Sequence, residues 1–117
     1  MVTVNLSGRQ NFDEYFVFYD ELMAEIKGKG IISILWDARE LDMRNTTTDE
    51  IEKGIEILNN WSSIRKGGKA ACVVNDAFSY GLGRMFQNMA EAKNLFEQNI
   101  TIEIFKDYKE AEEWIGK

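Results

Sequence analysis

The groups best suited to chemistry in this chain are polar residues that follow apolar runs. Asn75 and Asp76 follow the run 70–74 (AACVV), Asp37 follows 31–36 (IISILW), and Asp107 follows 100–105 (ITIEIF). If those runs are parallel strands, their carboxyl ends share one edge of a sheet, where open α/β folds tend to bind ligands. Clustered acids there suggest a cation site, and solvated strand ends with helix caps explain the same residues. A phosphoryl receiver also needs an acidic pair after its first strand, and the first strand here ends Ser7-Gly8. That chemistry is excluded.

Gly81-Leu82-Gly83-Arg84 is the second candidate. A glycine turn opening a helix at Arg84 would offer free N–H groups and a guanidinium to an anion. A tight turn with Arg84 on the surface reads the same residues without a ligand. Neither the phosphate-loop nor the dinucleotide fingerprint is present. The expected ligand-binding set is therefore Asp37, Asn75, Asp76, Gly81, Gly83 and Arg84. Thr46, Thr47 and Thr48 stand before a helical pattern, as caps or as phosphoacceptors whose added charge would alter a docking surface. Thr47 with Glu50 fits a capping box.

Histidine is absent, which removes the usual general base, zinc ligand and pH switch. The single Cys72 lies mid-strand among apolar residues, where a thiol is inert and cannot form an internal disulfide. A Cys/His metal site cannot be assembled, and a carboxylate site for magnesium or calcium stays open without any spacing that demands one, so neither metal nor cofactor is expected. Fourteen basic against twenty acidic residues give a net charge of −6. That balance disfavours nucleic acid and anionic membrane surfaces. No apolar run has the length of a membrane span and no signal peptide precedes Val2, so the expected compartment is the cytoplasm.

The elements that would position these residues follow from periodicity. Val2, Val4 and Leu6 alternate with Thr3 and Asn5 as a half-wet edge strand, and 100–105 reads likewise. Residues 31–37 and 70–74 are apolar on both faces and therefore central. Residues 38–45 read as a charged connection. Phe12, Tyr15, Phe16, Tyr19, Leu22, Met23 and Ile26 make the stripe of a first helix. Ile51, Ile55, Leu58 and Trp61 or Ser62 mark a second, Met85, Phe86, Met89, Ala90, Lys93 and Phe96 a third, and Ala111, Trp114 and Ile115 a short fourth. Val17 and Phe18 fall off the first stripe, so they are either a partner surface or buried by a second contact.

The 117 residues thus make one domain spanning 1–117, an α/β (βα)4 fold with a mainly parallel four-stranded sheet in the order 1-2-3-4 and four helices. Right-handed crossovers put the helices on one face. The apolar second face then needs a cover, either a helix swung around an edge or another subunit.

The stretches VTVNLSG, NFDEYFVFYDELMAEI, ILWDAREL, ACVVNDAFSYGLGRMF and FKDYKEAEEWI together resemble the STAS family, the SpoIIAA-like fold of anti-sigma-factor antagonists. Relatives often carry one more strand before the first, which this chain would lack. The resemblance implies a non-enzymatic regulatory or protein-interaction module. Anti-sigma-factor antagonists bind a kinase-type anti-sigma factor and are switched by phosphorylation at the start of the helix after the second core strand. Thr46, Thr47 and Thr48 hold that position here, without the aspartate, serine pair and glycine of the usual pattern. SpoIIAA-like relatives also include lipid-binding CRAL-TRIO domains. The alternative function is therefore a carrier or sensor of a small hydrophobic or lipid-like ligand, held between the sheet and mobile helices rich in Met85, Phe86, Met89 and Phe96. Expected partners are a protein or a second copy, as a dimer, through Val17 and Phe18, or that ligand. An enzyme is the least supported class, for want of a histidine or an activated nucleophile.

Overall fold

A computed structural model describes residues 2–9, 12–27, 29, 33–60, 68–92 and 100–116. Strands and helices alternate: β1 (Val2–Arg9), α1 (Phe12–Ile26), β2 (Ile34–Asp42), α2 (Thr48–Asn60), β3 (Lys69–Val73), α3 (Ala77–Ala92), β4 (Thr101–Phe105) and α4 (Tyr108–Ile115). All three strand pairings are parallel, in the order β1-β2-β3-β4. The two runs that are apolar on both faces occupy the centre, as their burial requires. Ile31, Ile32, Trp61, Ser62, Lys93 and Phe96 lie outside the described residues.

Two strands run further than the sequence reading placed them. Residues 38–42 are not connection but the second half of β2, and β1 continues past Ser7-Gly8 to Arg9. The pairing resumes as Ser7↔Glu40, Gly8↔Leu41 and Arg9↔Asp42 after a register shift. Leu6 stands opposite both Ala38 and Arg39, a β-bulge that resets the alternation. Ala38 and Leu41 therefore both turn to the apolar side although three positions separate them. Alternation broken by a bulge looks like charged loop in sequence. Gly8 takes φ 78°, a conformation open to glycine at no steric cost.

The helices do not share one face. Tyr19, Met23 and Ile26 of α1 pack on Val4, Ile34 and Trp36. Ile51 and Ile55 of α2 and Ala90 of α3 pack on Ala38, Ala70, Ile102 and Ile104. On the opposite face Ala111 and Ile115 of α4 bury Leu35, Ala71 and Val73. The second face is covered by α4, which follows the edge strand β4 and folds back over the sheet, and the sheet needs no second subunit there. Asp107 caps this helix by accepting from the Lys109 N–H at 2.9 Å. Lys69 fastens its far end by donating to the Trp114 carbonyl at 3.0 Å. Among the described residues, no helix is long and apolar enough to cross a membrane.

Candidate functional site

At the carboxyl ends of the strands, Asp37 and Asn75 line an open cleft of about 550 Å³ together with Asn5, Ser7, Arg39 and Glu40. Asp37 and Asn5 are direct neighbours in the β1–β2 register. Asp37 is already engaged. Its two carboxylate oxygens accept from Arg39 Nε and Nη2, each at 2.8 Å. This bidentate hydrogen bond holds the Asp37 carboxyl below its ordinary value, against a smaller opposing effect of burial. A carboxylate paired in this way offers little to a cation. Among the described residues no group of three or more histidine, cysteine or carboxylate side chains could hold a metal.

Asp76 stands apart from the cleft. Its Oδ1 accepts from the Ser79 N–H at 2.7 Å, which starts α3 at Ala77 rather than Arg84. The helix therefore begins about two turns before the position the glycines suggested. Gly81 and Gly83 lie inside α3, not in a loop, and their N–H groups belong to the helix. The anion-holding turn at Arg84 is thereby lost. Gly83 instead permits close approach: a Cβ there would sit 2.9 Å from Ile104 Cγ2 on β4. Arg84 reaches sideways, donating to Gln87 Oε1 at 2.8 Å with Glu103 at 3.6 Å. Glycines mark loops in sequence, but here contact between helix and sheet selected one of them.

Thr47 precedes α2 and forms the reciprocal capping box. Its Oγ1 accepts from the Glu50 N–H at 3.2 Å, and its own N–H donates to Glu50 Oε1 at 3.0 Å. Thr48 is the first helical residue, and Thr46 donates its N–H to the Met43 carbonyl. The hydroxyl of Thr47 also donates to Glu50 Oε1, at 3.0 Å.

The larger finding is an apolar cavity of about 140 Å³ between the sheet and the three helices on one side. Its floor is Leu6, Trp36, Ala38, Leu41, Ala70, Cys72, Ile102 and Ile104. Tyr15, Phe16 and Tyr19 of α1, Ile51, Gly54 and Ile57 of α2, and Leu82, Gly83 and Phe86 of α3 make the walls. Met43, Thr46 and Glu50 also line it. The space exists because the α1 cluster and the α2–α3 cluster meet over small residues. Aromatic rings hold α1 off the sheet, with Tyr15 and Tyr19 each 5.8 Å from Trp36 between centroids. Beside them Ala38, Ala70 and Gly54 leave volume unfilled. Cys72 faces this cavity, and burial pushes its thiol up to about 12. It is a neutral wall atom rather than a nucleophile.

Of the third-helix residues expected to hold a ligand, Phe86 lines the cavity, while Met85 and Met89 pack on the core cluster. Sequence reasoning missed the α1 wall and the residues Met43 and Glu50. The available signal was small residues, Ala38, Gly54 and Ala70, at positions facing the core. Val17 and Phe18 are 59% and 41% exposed on α1, and Phe78, not foreseen, is 52% exposed in the first turn of α3.

The sequence model of a family described as SpoIIAA-like matches residues 1–116. Neither a curated protein nor a solved structure matches the chain.

Proposed function

The chain belongs to the SpoIIAA-like family, and on that premise we propose that it is a non-enzymatic regulatory module whose input is a small apolar ligand. The observation that carries this reading is the cavity between the sheet and α1–α3. Pockets for drug-sized ligands run to roughly 300–1,000 Å³, so this one suits a smaller body. A cavity of about 150 Å³ lined by aliphatic and aromatic side chains stays dry and binds benzene. Apart from Thr46 and Glu50 the lining here is largely of the same kind, so its lost dispersion contacts are regained when an apolar guest enters.

The output we assign to α1. Tyr15, Phe16 and Tyr19 face the cavity while Val17 and Phe18 on the same helix face solvent. A ligand that presses on one side of α1 changes what the other side presents to a protein partner or a second copy. The exposed pair also supports a second reading, in which α1 is a docking surface and the cavity is only imperfect packing.

Calorimetric titration with ethylbenzene and indole separates the two, followed by the thermal unfolding midpoint at saturation. The expected result is one site per chain and a raised midpoint, since a ligand bound only by the folded state stabilises it. No binding by either probe, together with a self-association abolished by Phe18→Glu, would hand the assignment to the docking reading.

A further inference from the structure

The cavity is not uniformly apolar, and its polar end carries one sign. Among the described residues that line it, Glu50 is the one acidic residue, and no lysine or arginine is present. Glu50 uses Oε1 for the Thr47 N–H and hydroxyl. Its other carboxylate oxygen, Oε2, has no partner among the described residues. A half-buried carboxylate with one oxygen spare, beside an apolar void, is an acceptor set against an apolar wall.

We propose that the cavity selects an amphiphile with a benzene-sized apolar body and a primary ammonium head, the head pairing with Glu50. The inference rests on the ligand-binding reading above and names the class of ligand. Three observations converge on a cation rather than an anion. The start of α2 would ordinarily attract an anion, but its first turn already holds Asp49 and Glu50. Two of its N–H groups, those of Thr47 and Glu50, are spent in the capping box. The chain as a whole carries −6, which raises the local concentration of cations and lowers that of carboxylates. Tyr15, Tyr19 and Trp36 line the same space, and aromatic rings attract ammonium groups.

The test is a matched series on the intact chain: ethylbenzene, 2-phenylethylamine and 3-phenylpropanoate, titrated calorimetrically at neutral pH and low salt. The amine is expected to bind about tenfold more tightly than the hydrocarbon, in line with a charge-assisted hydrogen bond at a half-buried site. The carboxylate should bind more weakly than the hydrocarbon. In Glu50→Gln the ratio of amine to hydrocarbon affinity should fall from about ten to about one, and that ratio is the readout. Glutamine also serves in a capping box, so the helix start is retained. Equal binding of amine and hydrocarbon by the unaltered chain overturns the inference without touching the ligand reading, and so does an amine preference that survives Glu50→Gln. Failure of all three probes overturns both. The ligand series on the unaltered chain decides the matter even if the variant does not fold.

Discussion

The two faces of the sheet are built from similar residues and packed to different ends. On one, α4 sets Ala111 and Ile115 directly on Leu35, Ala71 and Val73, and small side chains bring helix and strand together. Phe105, Tyr108 and Trp114 close the margins, with Phe105 and Trp114 5.6 Å apart between centroids. On the other, Ala38, Ala70 and Gly54 are equally small, yet the volume they give up stays open. The difference lies in what stands beside them. A short helix that meets the strands over Leu35, Ala71 and Val73, with rings only at its margins, can settle onto them, whereas α1 rests on the Tyr15, Tyr19 and Trp36 rings. Small residues therefore create close contact on one face and space on the other.

Truncation gives the largest separation between the faces. Leu35 is fully buried beneath α4. Leu35→Ala should cost about 3 kcal/mol, the lost transfer energy plus a new void. Leu82, half-buried at the cavity wall, already lacks neighbours on one side. Leu82→Ala should cost about 1 kcal/mol. Urea unfolding of both variants reads the difference. Equal losses would mean that the cavity closes in solution.

Enlargement sharpens the same contrast on adjacent residues. Ala70 and Ala71 are neighbours on β3 that point to opposite faces. Ala71→Ile must push α4 away and should destabilise by about 1–3 kcal/mol. Ala70→Ile extends into the cavity, and filling it should stabilise by about 0.5–2 kcal/mol. The same variant should lose ethylbenzene binding. If Ala70→Ile destabilises as much as Ala71→Ile, the void is not available to a guest of that size.

Much of this architecture is legible in the sequence because continuous and alternating apolar runs obey different rules. The runs 31–37 and 70–74 read as central strands and 2–6 and 100–105 as edges, which fixes the order observed. The helix stripes are legible for the same reason, as is the Thr47–Glu50 box, whose spacing is its own signature. Non-local contact was hidden. The β2 bulge breaks the period that would have exposed residues 38–42 as strand. Gly83 is explained only by Ile104 of another element. The cover supplied by α4 depends on where the chain turns after β4, and no local pattern encodes that. The cavity is less legible still, since an absence of atoms arises from the relative heights of three helices. Of the residues expected at the carboxyl edge, Asp37 and Asn75 meet at one cleft, while Asp76 was drawn off to cap its own helix.

The smallest effect concerns the polar rim of the sealed face. Arg39 lies over the Tyr108 ring of α4 at 4.7 Å while it clamps Asp37, so the pair adds a polar fastening at the Tyr108 margin. The hydrogen bond from Arg39 lowers the Asp37 carboxyl from its ordinary 3.8 in the folded chain. The unfolded chain lacks the pair and takes up a proton first as the pH falls, so the contribution is fully present above the unfolded value and is lost as the pH drops through the lowered folded one. Arg39→Met removes both the pair and the ring contact. Its stability deficit against the unaltered chain should be constant from neutral pH down to about pH 5 and should shrink below 3.8, and added salt should shrink it at every pH. Ala70→Ile, which changes no charge, should shift stability by the same amount across the whole range. Parallel curves for Arg39→Met and the unaltered chain down to pH 2 would mean that the pair is a surface ornament and that α4 is held by its apolar contacts alone.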